Sequence, residues 1–224
     1  MKSISIVINA RTQSTRVPNK LLRRFHNTTL IDIALSKMNQ MDFFENRFLA
    51  VAEEDLIKYG EKYSNVKILN RSIEAVKKGV NPLNLTFQHY LNIPSDYIFV
   101  FNPCLPLVKI STIKMAFEYF QNTCFNSYTA VIPTGEWIFD SYGNPLTIKD
   151  PSNVTTNKDV SFFKGCHAFH IINKKYFNDN EILWTFDKDN PHIIQIPYEE
   201  AVDIDTIEEF KLAELIYGQS ITNA

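Results

Sequence analysis

Short apolar runs alternate with segments of helical spacing along most of this chain. The first run, Ile4 to Ile8, reads as a fully buried strand. Leu30, Ile33, Ala34 and Met38 then recur at helical spacing. Phe48 to Ala52 predicts a second strand and Val66 to Leu69 a third. Between them, Glu53 to Tyr63 predicts a helix with Leu56, Tyr59 and Tyr63 on one side. Asn81-Pro82 has the form of a helix start, with Asn as cap and Pro in the first turn, for a helix running to about Asn92. Tyr97 to Phe101 is the most apolar run and is expected at the centre of the sheet. A helix from about Ser111 to Gln121 and a strand over Tyr128 to Ile132 follow. Strands over Ala168 to Ile172 and Ile193 to Ile196 come later, then a helix from about Thr206 to Tyr217. Thr206 and Glu209 have the spacing of a capping box.

Alternating strand and helix predicts parallel βαβ units, and right-handed crossovers place helices on both faces. The expected fold class is therefore α/β, a three-layer α/β/α arrangement around a mostly parallel sheet. The rhythm breaks over residues 134–165, which are rich in Thr, Asn, Asp, Lys and Gly. Turn signals stand at Tyr142-Gly143-Asn144-Pro145 and Asp150-Pro151. This segment is expected to leave the sheet as an arm or lid.

Composition narrows the function classes. The 224 residues suit one domain, 1–224, large enough for a sizeable core. A net charge of −2 speaks against a nucleic-acid-binding surface, so any anion site must be local. Cys104, Cys124 and Cys166 are odd in number and widely spaced, which predicts reduced thiols in a cytoplasmic protein. The amino terminus lacks the pattern of a signal peptide. No apolar run nears the roughly 20 residues that span a bilayer, so no membrane partner is expected. The N-x-S/T triplets at Asn27, Asn70, Asn84 and Asn153 then read as chance matches.

The chain carries a candidate for such a local site. Just past the first strand, the loop carries Arg11, Arg16, Lys20, Ser14 and Thr15. Ligand crevices in open α/β sheets lie off the carboxyl ends of the strands. Cations and hydroxyls there suit a polyphosphate, although a loop of solvated charges would share the composition. The loop has no glycine, so it is neither a P-loop nor a G-x-G-x-x-G turn. At the end of the apolar strand, Asn102 opens the stiff turn N-P-C-L-P-L and would project a carboxamide into the crevice or cap the turn. Asp203 and Asp205, at i and i+2 in an extended segment, point the same way and could chelate a hard cation. The plainer reading leaves Asp203 solvated and Asp205 capping the last helix. Lys164 precedes a returning strand and would face the crevice. His167 and His170, three apart on a strand, should lie on opposite faces and make a poor metal pair. Asn81 could contact ribose or base, or serve only as a helix cap.

Ala10 to Leu22, A-R-x-x-S-T-R-x-P-x-K-x-L, resembles the first loop of the cytidylyltransferases that make CMP-activated sugars. These are the CMP-Kdo synthetases and the acylneuraminate cytidylyltransferases. The S-T-R-x-P-x-K form is nearest the Kdo branch. Asn102 to Leu107 is similar to the Q-P-T-S-P-L turn of the sialic acid branch, with Asn102 replacing Gln. D-I-D-T at Asp203 to Thr206 resembles that branch's D-x-D-T-x-x-D, with Glu209 replacing the last Asp. Lys164 stands where the family has Arg before the strand, and Arg71-Ser72 keeps the Arg of a nucleotide-contacting R-P. In Asn153 to Asp159, Lys158 is the one basic candidate for the sugar acid.

The resemblance implies a Rossmann-like nucleotidyltransferase that joins CTP to an acidic sugar, for surface glycan biosynthesis. It implies nucleotide contacts from Ala10, Arg11, Ser14, Arg16, Lys20, Arg71, Asn81 and Asn102. Arg11, Lys20 and Asp205 would be catalytic, Asp203 and Asp205 would hold Mg²⁺, and Asn102 and Lys164 would hold the sugar. It also implies a homodimer, with 134–165 as the dimerisation arm. Two other classes compete. A GT-A glycosyltransferase shares the nucleotide-binding half and a D-x-D motif, but carries that motif mid-chain. A non-catalytic relative would bind nucleotide without turnover.

Overall fold

The computed structural model describes residues 1–77, 81–147 and 162–222. In chain order the elements are β1 (Ile4–Asn9), β2 (Arg24–Phe25), β3 (Thr28–Thr29), α1 (Leu30–Asn39), β4 (Asn46–Val51), α2 (Glu54–Gly60) and β5 (Lys67–Asn70). There follow α3 (Ile73–Val76), α4 (Leu83–Thr86), a 3₁₀ turn (Gln88–Asn92), β6 (Tyr97–Phe101), α5 (Ile110–Asn122) and β7 (Ser127–Thr134). The chain continues with β8 (Phe162–Asn173), α6 (Lys174–Asn180), β9 (His192–Gln195), a second 3₁₀ turn (Tyr198–Glu200) and α7 (Ile207–Thr222).

Seven strands form one sheet in the order β5-β4-β1-β6-β8-β7-β9. β6 is its middle strand, as its apolar run requires. β1 pairs in parallel with β4 and β6, β4 with β5, and β7 with β9. β8 departs from the βαβ expectation, because it runs antiparallel to both β6 and β7. No crossover helix separates β7 from β8 among the described residues, and the chain re-enters the sheet in the reverse direction.

Two apolar layers sandwich the sheet. Ile4, Ile6 and Ile8 point to one face, against residues of α1, α5 and α7. Val7 points to the other, with Tyr90, Ile93 and Phe177. The alternation along β1 thus places helices on both faces, and the architecture is three-layer. The second layer is thinner than expected. The helix predicted to run from Asn81 to Asn92 divides into α4 and the 3₁₀ turn. Phe87, Tyr90 and Ile93 all pack in the second cluster. Their spacing of three is the repeat that 3₁₀ geometry brings to one side. Asn81 is not the cap: Pro82 holds that place, and the Asn81 amide donates to the carbonyls of Glu74 and Lys77.

The predicted excursion is shorter than 134–165. Thr134 pairs with Phe162 and Ile132 with Lys164, so both ends belong to the sheet. Residues 136–147 make a small hairpin, with Ile138 N–H donating to Thr147 Oγ1 and Leu146 N–H to the Ile138 carbonyl. The Asp140 carboxylate accepts from Tyr142 and Asn144 N–H, and Gly143 takes φ +86° in the turn. The Asp150-Pro151 turn, Asn153 and Lys158 lie outside the described residues.

Candidate active site

The carboxyl end of β1 opens into the basic loop. Ala10 N–H donates to the Ala50 carbonyl, so the loop leaves the sheet only after Ala10. Ala10, Val17 and Leu21 are buried and pin the loop to the core. Glu53 fastens it from the side, accepting from both the N–H (2.8 Å) and the hydroxyl of Thr12. Polar residues between these anchors are left facing outward.

They line a cavity of about 300 Å³. Arg11, Ser14, Arg16 and Lys20 come from the loop, Asn102 and Cys104 from the turn after β6, and Asp205 from the approach to α7. Three distant stretches of sequence therefore converge as expected. Arg16 Nη2 lies 2.7 Å from Asp205 Oδ1, and Lys20 Nζ lies 3.4 Å from the same oxygen. Lys20 also donates to the Ile204 carbonyl. Its side chain is 13% exposed against 65% for Arg16, so Lys20 is the buried cation of the pair and Arg16 the solvent-facing one.

The acid segment is positioned by the residue between the acids. Ile204 is fully buried, and its N–H donates to the Cys104 carbonyl. This ties the segment to the turn after β6 and turns Asp203 and Asp205 to one side. Burial, and then the Asp205 charge, push the Asp203 carboxyl up to about 6. Asp205 does not cap α7. Thr206 does, accepting from Glu209 N–H at 3.2 Å, while Glu209 accepts from the N–H of Asp205 and of Thr206. Two repelling carboxylates beside a cationic cavity fit a hard cation that completes its shell with phosphate oxygens and water. Among the described residues no group of three His, Cys, Asp or Glu is placed to hold a metal. The protein would thus supply only part of the coordination.

Among the other expected residues, Asn102 belongs to the cavity lining, while Ala10, Arg71, Asn81, Lys164 and Asp203 do not. Ala10 is buried, with its N–H spent on the Ala50 carbonyl. Asn102 lines the cavity, but its carboxamide oxygen accepts from Cys104 N–H at 2.9 Å, so it also caps its own turn. The Arg71 guanidinium, its pKa lowered by burial, donates to the carbonyls of Thr86 (3.1 Å) and Ala75 (3.4 Å). Its charge is felt at Arg11 and Glu53, but it binds α3 to α4 rather than lining the cavity. Asn81 is held at the end of α3, outside the cavity. Lys164 is exposed on β8, beside Cys166 rather than in the cavity lining.

The two histidines correct the simple strand rule. His167 adopts φ +56°, and the β7–β8 register shifts between Thr129 and Val131. This irregularity brings the rings of His167 and His170 to 5.5 Å, not to opposite faces. His170 is a satisfied histidine. Its Nδ1 lies 3.0 Å from Thr129 Oγ1, and burial, then the neighbouring His167, lower its pKa to about 4.

Asn9, Gln13 and Cys104 line the cavity without having been predicted. Asn9 closes β1 and could have been read as the first polar residue after a buried run. Gln13 and Cys104 carry no comparable signal.

Residues 5–216 match the family model described as cytidylyltransferase. The 3-deoxy-manno-octulosonate cytidylyltransferase of Rickettsia felis is 26% identical over 140 residues, 58% of this chain and 52% of that protein. The chain therefore spans about half the length of that relative. The pseudaminic acid cytidylyltransferase of Campylobacter jejuni is 23% identical over 233 residues, 97% of each. Among solved structures, CMP:2-keto-3-deoxy-manno-octonic acid synthetase complexed with CTP superposes with a TM-score of 0.70 at 10% identity. That superposition covers 98% of this chain and 100% of the other, and shows the fold.

Proposed function

We propose that this chain, which belongs to the cytidylyltransferase family, transfers CMP from CTP to an acidic sugar and releases pyrophosphate. The convergence of Arg11, Arg16 and Lys20 with Asp205 around one cavity carries this reading. The anomeric oxygen of the sugar attacks the α-phosphorus as the bond to the bridging oxygen of pyrophosphate breaks. The hydroxyl proton leaves to solvent. Negative charge grows on the departing pyrophosphate, and Arg11, Arg16 and Lys20 are the groups to neutralise it. Holding both substrates in line supplies the rest of the rate.

Asp203 and Asp205 would hold Mg²⁺, which when bound polarises the α-phosphate. Asn102 would orient nucleotide or sugar through its unengaged N–H groups, and Lys164 would pair with the sugar carboxylate. The acidic sugar is supported by the relatives, whose names specify a Kdo-type acid and pseudaminic acid. We place the reaction in the cytoplasm, as a step towards surface glycans. No helix among the described residues is long and apolar enough to cross a membrane. The exposed Trp137, Phe139 and Leu146 of the hairpin suit a contact between two copies of this single-domain chain.

The test is pyrophosphate release with CTP, UTP, ATP and GTP, each crossed with Kdo, sialic, legionaminic and pseudaminic acids in Mg²⁺. The reading predicts turnover with CTP and one of these acids. Stabilisation by CTP without turnover would favour a non-catalytic binder. UDP release from a UDP-sugar would favour a glycosyltransferase.

A further inference from the structure

We infer that Asn9 reads the base of the nucleotide, held in one orientation by His89 and Tyr90, and so discriminates between pyrimidine nucleotides. The inference rests on the cytidylyltransferase reading above. Within the cavity the cations of the loop take the phosphates, and an uncharged group is needed where the base lies. Asn9 is such a group, at the carboxyl end of β1 and in the cavity lining.

What sets Asn9 apart is that its amide is pinned from behind. Its Nδ2 donates to Tyr90 Oη at 2.7 Å, and its Oδ1 lies 2.8 Å from His89 Nε2. Both partners are core residues: Tyr90 is fully buried and His89 is 4% exposed. An amide has two N–H donors and two oxygen lone pairs. One of each is used, so one N–H and one lone pair remain. A remaining donor and acceptor on one amide can pair with the cytosine edge, where the ring nitrogen accepts and the amino group donates. Uracil carries the reverse order there. An amide free to flip would accept either base, whereas a locked one selects.

The lock comes from the histidine tautomer. A flipped amide would present Nδ2 to His89, which would then need a bare Nε2 and a proton on Nδ1. Among the described residues the buried His89 Nδ1 has no hydrogen-bond partner, so that proton would be an unsatisfied donor. The Arg71 charge acts on the same ring and disfavours a second proton on it. Burial and then Arg71 lower the His89 pKa to about 3, so the ring stays neutral and keeps a single proton.

CTP and UTP affinities, measured calorimetrically, test this in wild type, Asn9→Asp and His89→Gln. Asn9→Asp replaces the donor with an acceptor and should reduce the CTP-over-UTP preference by about tenfold. His89→Gln replaces the single-proton ring with an amide that can present either its oxygen or its N–H groups to Asn9, frees the Asn9 amide to flip, and should reduce the preference by about threefold or more. Retention of the wild-type preference in folded Asn9→Asp, or equal weakening of both nucleotides, overturns the inference. If Asn9→Asp does not fold, an unchanged preference in His89→Gln does the same. A wild type that binds CTP but does not prefer it over UTP removes this inference and leaves the transferase reading standing. A wild type that binds neither nucleotide removes both.

Discussion

Lys20 shows how one residue can serve fold and function together. Its Nζ reaches the Ile204 carbonyl and Asp205, and its side chain is largely buried. Lys20→Ala should slow pyrophosphate release by about 10²–10³-fold, the usual loss for one preorganised charge-stabilising donor. Asp205→Asn should keep the fold, because Thr206 and Glu209 cap α7 without the Asp205 carboxylate. It should still lower turnover and weaken the Mg²⁺ dependence, as measured by Mg²⁺ titration of the rate. His89 gives a pH signature. It is neutral when folded, with a pKa of about 3 against the ordinary 6.5. Between those values the unfolded chain binds the extra proton, so stability falls as pH drops from about 6.5 towards 3. His89 contributes a slope of about 1.4 kcal/mol per pH unit within that window. Chemical denaturation across pH should show a shallower slope in His89→Gln.

At the scale of elements, the buried Glu200 joins the second 3₁₀ turn to α5. Its carboxylate accepts from Lys109 N–H (2.9 Å) and Thr112 Oγ1 (3.0 Å), at the amino end of that helix. The charge also complements the helix end. Lys37 supports the same region, donating to the carbonyls of Pro106 and Val108. These contacts fix both the turn that carries Asn102 and the segment that carries Asp203 and Asp205. Glu200→Ala should destabilise the protein by about 2 kcal/mol in urea unfolding, the scale of hydrogen bonds to a buried charge. The strands and the long helices were legible because their apolar periods are regular and their faces buried. The region 81–92 was not. Asn81-Pro82 carries a cap signature, but Phe87, Tyr90 and Ile93 reach the sheet at a spacing of three, and packing overrode local preference. β8 was legible as a strand but not in direction, because direction depends on how residues 135–161 return the chain.

Across the whole molecule, the site is assembled from β1, β6 and the approach to α7, which the sequence separates widely. Charge made these parts readable: three cations after one buried strand, and two acids before a capped helix. Neutral residues were not readable in the same way. Asn9 ends an apolar run, and its partners lie some 80 positions away at His89 and Tyr90, so only the folded sheet joins them. His167 and His170 misled for a related reason, since a local irregularity in a strand leaves no mark on periodicity. The central claim is that this cavity transfers CMP. It is tested most directly by pyrophosphate release from CTP, with Mg²⁺ and the panel of sugar acids, in wild type beside Lys20→Ala. The account predicts release that needs both CTP and an acidic sugar, reduced by about 10²–10³-fold in Lys20→Ala. No release with any sugar acid, or equal release from the variant, would contradict it.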